Sequence, residues 1–172
     1  MLNAADNNDT IEFQIEDEGS FKVLINGSLQ MTYSLRLIEK TEVNTEIPKI
    51  ESKSKFSITP GILTRIISNM EKVSEHMTIK TLDDEVEFSG KGDIGHAKFN
   101  LDESNSDLLS LDVSEDTSSI YSLEYMADVI RSIGRSCKNI DMEYSTKSPM
   151  HIGFEMPSKA KVEFYLAPRV HE

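Results

Sequence analysis

The chain has 172 residues, 38% of them hydrophobic and 28% charged, with 18 Lys and Arg against 30 Asp and Glu for a net charge of -12. That is apolar material for one ordinary domain or two small ones, and too much of it for an intrinsically disordered chain. Cys137 is the single cysteine, which excludes an internal disulfide, and no apolar run approaches the roughly 20 residues that cross a bilayer or the apolar stretch of a signal peptide, so a reducing cell interior is the expected setting.

In chain order, residues 10–16, 21–26 and 31–38 read as three short strands, broken at Glu18-Gly19-Ser20 and Asn26-Gly27-Ser28, both turn sequences. Residues 39–52 are polar, carry Pro48 and show no sustained period, which predicts a linker. Next come an alternating strand at 55–58, Pro60 at a first helical position, and apolar Leu63, Ile66, Ile67, Met70 and Val73 at helical spacing. Three strands follow at 77–82, 85–89 and 96–101. The plan then recurs: segments at 108–113 and 118–121, a helix from about Leu123 with Met126, Val129, Ile130, Ile133 and Cys137 on its apolar arc, and strands at 140–145, 151–155 and 161–166. A strand-helix-three-strand unit is therefore expected twice in full, and once at the start without its leading strand and helix. The fold class that follows is α+β, antiparallel sheets with helices on one face. The expected partition is 1–38 as a remnant of a first domain, 39–52 as linker and 53–172 as a complete second domain.

Helical geometry sets Arg65 and Lys72 opposite the first apolar arc, and Arg131, Arg135 and Lys138 opposite the second. Each helical segment carries a small positive excess, and the rest of the chain carries the negative charge. An acidic protein with two basic helix faces suits a polyanion met on one face and repelled elsewhere. Acids leading and bases trailing along a helix also suit the macrodipole, and both readings stand at this level.

Signals for catalysis are weak. Gly90-Lys91-Gly92-Asp93-Ile94-Gly95 spells G-x-G-x-x-G but lies between two predicted strands, where it reads as a turn. His76, His96, His151 and His171 lack metal-ligand spacing. Cys137, on an apolar arc, is expected as a small packed side chain. Asp83-Asp84 and Glu115-Asp116 occupy expected turns.

Tyr121-Ser122-Leu123-Glu124-Tyr125-Met126 and, more specifically, Val162-Glu163-Phe164-Tyr165-Leu166-Ala167-Pro168-Arg169-Val170 resemble the sliding clamps of the proliferating cell nuclear antigen (PCNA) family, the archaeal members above all. Phe56-Ser57-Ile58, residues 87–95 and residues 31–38 lie in the family's order, and the resemblance spans the chain. It implies the DNA-clamp fold and a non-enzymatic DNA polymerase processivity factor, without cofactor or metal, that encircles duplex DNA. Relative to that pattern the chain opens at the end of a helix, so a truncated adaptor that binds partners without closing a ring is the alternative. The resemblance gives Arg65, Lys72, Arg131, Arg135 and Lys138 as DNA-facing. It gives Ile47, Pro48, Pro149, Tyr165, Ala167 and Pro168 as a cleft for client peptides, although ordinary packing also accounts for Tyr165 or Pro149 alone. Met31, Tyr33, Leu35 and Leu37 on one strand, and Leu109, Leu111 and Val113 on another, are given as subunit contacts. Implied partners are DNA polymerase, flap nuclease, DNA ligase and a clamp loader, in a ring trimer away from membranes. The implied location is the cytoplasm with the nucleoid, or the nucleus in a eukaryote.

Overall fold

The structure, a computed structural model, describes residues 4–16, 19–37, 51–157 and 160–169, with the side chains of Glu16 and Arg135 not included. It divides into two compact units, 1–47 and 48–172.

In the first unit, β1 (Thr10–Glu16), β2 (Ser20–Asn26) and β3 (Met31–Arg36) form an antiparallel sheet in the order β1-β2-β3. The register sets Ile11 beside Ile25 and Met31, Phe13 beside Val23 and Tyr33, and Ile15 beside Phe21 and Leu35. Side chains directly opposite share a face, so these residues make one apolar surface, with Phe13 stacked on Phe21 at 5.8 Å. Val23 and Ile25 are buried, whereas Phe13 and Ile15 remain 57% and 81% exposed.

The second unit runs β4 (Ser54–Ile58), α1 (Pro60–Met70), β5 (His76–Thr81), β6 (Glu85–Gly92), β7 (Gly95–Asp102), β8 (Leu108–Val113), β9 (Thr117–Ser122), α2 (Leu123–Ile133), β10 (Ile140–Tyr144), β11 (Met150–Glu155) and β12 (Lys161–Leu166). One sheet has the order β12-β11-β10-β4-β8 and the other β7-β6-β5-β9, all neighbours antiparallel. The predicted repeat is present with an exchange. Leading strand β4 pairs with β10 of the other repeat, and leading strand β9 pairs with β5. The two repeats are thus interlocked around one core, in which Phe56 meets Phe88 edge to face at 6.1 Å and Tyr121 meets Tyr144 at 6.2 Å across the sheets. Tyr144 Oη lies 2.5 Å from Thr81 Oγ1 and donates to the Ile79 carbonyl at 3.2 Å, so its burial is satisfied.

Helix α1 starts where expected, at Pro60, with Thr59 donating its hydroxyl to Asp107 at 2.6 Å. Leu63, Ile66, Ile67 and Met70 turn into the core, as do Leu123, Met126, Ala127 and Ile130 of α2. Both helices stop earlier than the apolar spacing predicts. Val73 follows α1 in a turn, half-buried against the core. Helix α2 ends at Ile133, Gly134–Ser136 form one 3-10 turn, and Cys137 is extended rather than helical. Glycine is costly inside a helix, by about 1 kcal/mol relative to alanine, and the chain must straighten to enter β10. Cys137 still packs half-buried on the core, its thiol donating to the Gly134 carbonyl at 3.2 Å and pushed to higher pKa by burial.

Candidate nucleic-acid and partner interface

Because α1 and α2 pack against each other with their apolar arcs inward, their polar faces lie outward. Arg65, Lys72, Arg131 and Lys138 are all exposed. Lys72 follows α1 and donates to Asn69 Oδ1 at 3.0 Å. Lys138 lies beyond α2, its backbone amide held by the Glu155 carbonyl at 3.1 Å, and Arg135 belongs to the 3-10 turn. Arg131 forms an ion pair with Glu71, which ties α2 to the turn after α1. That pairing neutralises part of the positive face, and no spacing rule could reveal it across 60 residues. The macrodipole reading fits α2, with Glu124 in its first turn and Arg131 in its last, but not α1, which has no acid in the first turn and no base in the last.

Of the residues expected at a client cleft, Pro149, Tyr165, Ala167 and Pro168 are brought together by strand register. His151 pairs with Tyr165 and Met150 with Leu166, so Pro149, just before β11, lies at the same end of the ladder as Ala167 and Pro168, just after β12. Tyr165 is half-buried, its ring 5.0 Å from that of His151, Ala167 and Pro149 are exposed, and Pro168 is half-buried. Ile47 and Pro48 lie outside the described residues. The segment after β12 is fixed by Arg169, whose amide donates to the Ile120 carbonyl at 2.7 Å and whose guanidinium rests on the His76 ring. Beside it, a cavity of about 430 Å³ is lined by Glu71, Glu75, His76, Glu124, Arg131 and Arg169.

Of the strands expected to make subunit contacts, β3 is an edge strand with Met31, Tyr33 and Leu35 half-buried, and Leu37 just beyond it is 52% exposed. Strand β8 is also an edge, with Leu109 half exposed and Leu111 and Val113 half-buried, but its ladder with β4 shifts register between Ser57 and Ile58. Sequence reasoning passed over a third edge. Strand β7 is paired along eight residues without a shift, and beside it Ile62, Arg65, Ile66, Asn69 and Phe99 line a groove of about 390 Å³. Its signal was present in the alternation of Ala97, Phe99 and Leu101 with His96, Lys98 and Asn100, but nothing local says which side of a strand stays unpaired.

The glycine motif at 90–95 lies in the β6–β7 hairpin, not at a helix start. Two of its glycines answer to packing: a Cβ on Gly92 would stand 2.0 Å from the Val73 carbonyl oxygen, and one on Gly90 2.5 Å from Met70 Sδ. Glu115 pairs with Lys53 at 3.2 Å. Among the described residues, no group of three or more His, Cys, Asp and Glu side chains is placed to hold a metal, and no helix is long and apolar enough to cross a membrane.

Residues 46–169 match the family model described as "Proliferating cell nuclear antigen, C-terminal domain". A protein of Nitrosopumilus maritimus named "DNA polymerase sliding clamp" is 33% identical over 170 residues, covering 99% of this chain and 68% of the relative. The chain belongs to the PCNA family. A second sliding clamp, from Thermococcus gammatolerans, is 26% identical over 172 residues and 69% of its own length. The solved PCNA from Thermococcus kodakaraensis superimposes with a TM-score of 0.82 at 22% identity, over 98% of this chain and 68% of that one. A PCNA2-PCNA3 complex from Sulfolobus tokodaii gives the same TM-score. These likenesses bear out the DNA-clamp fold class, and the chain spans about two thirds of the PCNA proteins it matches.

Proposed function

We propose that this chain serves as a DNA polymerase sliding clamp, a non-enzymatic processivity factor. The observation that carries this reading is the match to sliding clamps over 99% of this chain, on a fold in which Arg65 of α1, Lys72 of the turn after it and Arg131 of α2 are exposed on an otherwise acidic molecule. Few phosphate contacts suit a protein that is held on duplex DNA by topology and must move along it, since affinity for DNA grows with the number of phosphates neutralised. The acidic remainder disfavours DNA elsewhere on the surface. Replication and repair enzymes, polymerase, flap nuclease, ligase and loader among them, attach through short peptides at Pro149, Tyr165, Ala167 and Pro168, together with Ile47 and Pro48. Each tether raises the local concentration of its enzyme at the template.

Protomers assemble head to tail, as a trimeric ring, with the edge β3 of one copy meeting an edge of the second unit of the next. Leu109, Leu111 and Val113 of β8 offer one such edge. The unbroken β7 ladder, with Ile62, Ile66 and Phe99 in the groove beside it, offers another. Mass measurement in solution separates the two: Leu109→Arg abolishes assembly if β8 is the contact, and Asn100→Arg together with Asn69→Arg abolishes it if β7 is. The functional reading is tested by primer extension on circular template with a family B-type polymerase and loader. It predicts longer products when the chain is present and fails if product length is unchanged under conditions where the chain is assembled.

A further inference from the structure

The two helices hold their cations in unequal surroundings. Arg65 of α1 lines its groove with Ile62, Ile66, Asn69, Phe99 and Asn100, none of them a carboxylate. Arg131 of α2 stands in the opposite setting. Helical spacing puts Glu124 and Asp128 on its own outward row, seven and three residues before it, and Glu71 and Glu75 reach the same cavity from the turn after α1. Arg169 is the other cation there.

Of these four carboxylates it is Glu71 that Arg131 engages, although Asp128 lies one turn away on the same helix. The pair therefore draws the guanidinium across toward α1 and occupies its donors with a carboxylate. A guanidinium so occupied meets a phosphate only by giving up its partner, and the carboxylate left behind repels that phosphate. Both effects are small, because the pair is exposed, with Arg131 and Glu71 49% and 31% open to solvent. They weaken a DNA contact without preventing it.

We propose that Glu71 is a positioning residue for the DNA-facing surface: it holds Arg131 back from the phosphates, so that the cations of α1 and its following turn carry the electrostatic hold on duplex DNA and Arg131 adds little to it. This rests on the assignment of the helix cations to DNA, and it places the strength of that hold under a residue that does not itself contact DNA.

A double-mutant cycle tests it, with the full chain titrated into a fluorescent duplex of arbitrary sequence and anisotropy read at a series of low salt concentrations. In the wild-type background, Arg131→Gln should change affinity by less than about two-fold. Glu71→Gln should bind about three-fold more tightly, the scale of one exposed ion pair, and its slope of log affinity against log salt should steepen by about 0.9, as one more phosphate is neutralised. Glu71→Gln combined with Arg131→Gln should return both quantities to near the wild-type values. A pair that serves only to tie α2 to the turn after α1 would lower the melting temperature of both single variants and leave the cycle in DNA affinity additive, which overturns the proposal. So does an unchanged salt slope in Glu71→Gln. Arg65→Glu with Lys72→Glu separates this from the reading beneath it. If that variant binds duplex as tightly as the wild type, the DNA-facing assignment falls and the proposal with it; if it binds more weakly while the cycle is additive, only the role of Glu71 falls.

Discussion

Tyr121 and Tyr144 sit in the middle of the second unit's core, fully buried, and burial pushes both phenols to higher pKa. A phenol held neutral in the folded state stabilises the fold below the unfolded value near 10, and that contribution is lost as pH rises above it, because only the unfolded chain then gives up its proton readily. Alkaline titration followed by tyrosinate absorbance should therefore show Tyr121 and Tyr144 ionising only together with loss of structure. Ionisation of these two in a chain that keeps its fold would contradict the packing described. Tyr144→Phe should cost about 1 kcal/mol at neutral pH through the bonds to Thr81 and Ile79, measurable as a lowered denaturant midpoint. At the proposed partner cleft, Tyr165→Ala with Pro168→Ala should weaken client-peptide binding about ten-fold without changing assembly, because neither residue is on β3, β7 or β8, the edges proposed to join protomers. Calorimetric titration beside sedimentation reads both effects, and unchanged affinity removes the cleft.

The two helices raise the question of what their cations are for. Replacing Arg65, Lys72 and Lys138 with Glu should shorten primer-extension products, with a defect that narrows as salt screens the field. Melting temperature should hardly move, since all three are exposed and such substitutions usually stay within about 0.5 kcal/mol each. A lowered melting temperature with normal product length would instead favour a purely helix-stabilising role. Strands and helix starts were legible in the sequence because they are written locally: alternation for β1 to β3 and β10 to β12, and Pro60 with Leu63, Ile66, Ile67 and Met70 for α1. Helix ends were less so, since the apolar spacing runs on to Val73 and Cys137, beyond the last helical residues Met70 and Ile133. The pairing of β4 with β10, the ion pair of Arg131 with Glu71 and the contact of His76 with Arg169 were not legible, for each joins groups 60 or more residues apart whose meeting depends on the finished fold.

At the scale of the molecule, the two units differ in how well their apolar side chains are covered. In the first, Phe13 and Ile15 of the single-layered sheet stay largely open, whereas in the second Phe88, Ile79 and Met142 are shut away between two sheets. Amides of β1 to β3 should accordingly exchange with solvent faster than those of β5 and β10, and hydrogen exchange by mass spectrometry reads this directly. Equal protection would show that something else covers the first sheet.

The exchanged leading strands β4 and β9 bear on how the second unit can be taken apart. A cut in the loop at 103–107 would yield one piece holding β4, α1 and β5 to β7 and another holding β8, β9, α2 and β10 to β12. Neither piece would own a whole sheet, because each lends a strand to the other. Such halves have no stable life apart and a strong reason to recombine, which makes this loop a site for a split reporter whose signal depends on reunion. The same lacing should slow folding, which must wait for contacts between distant stretches of chain.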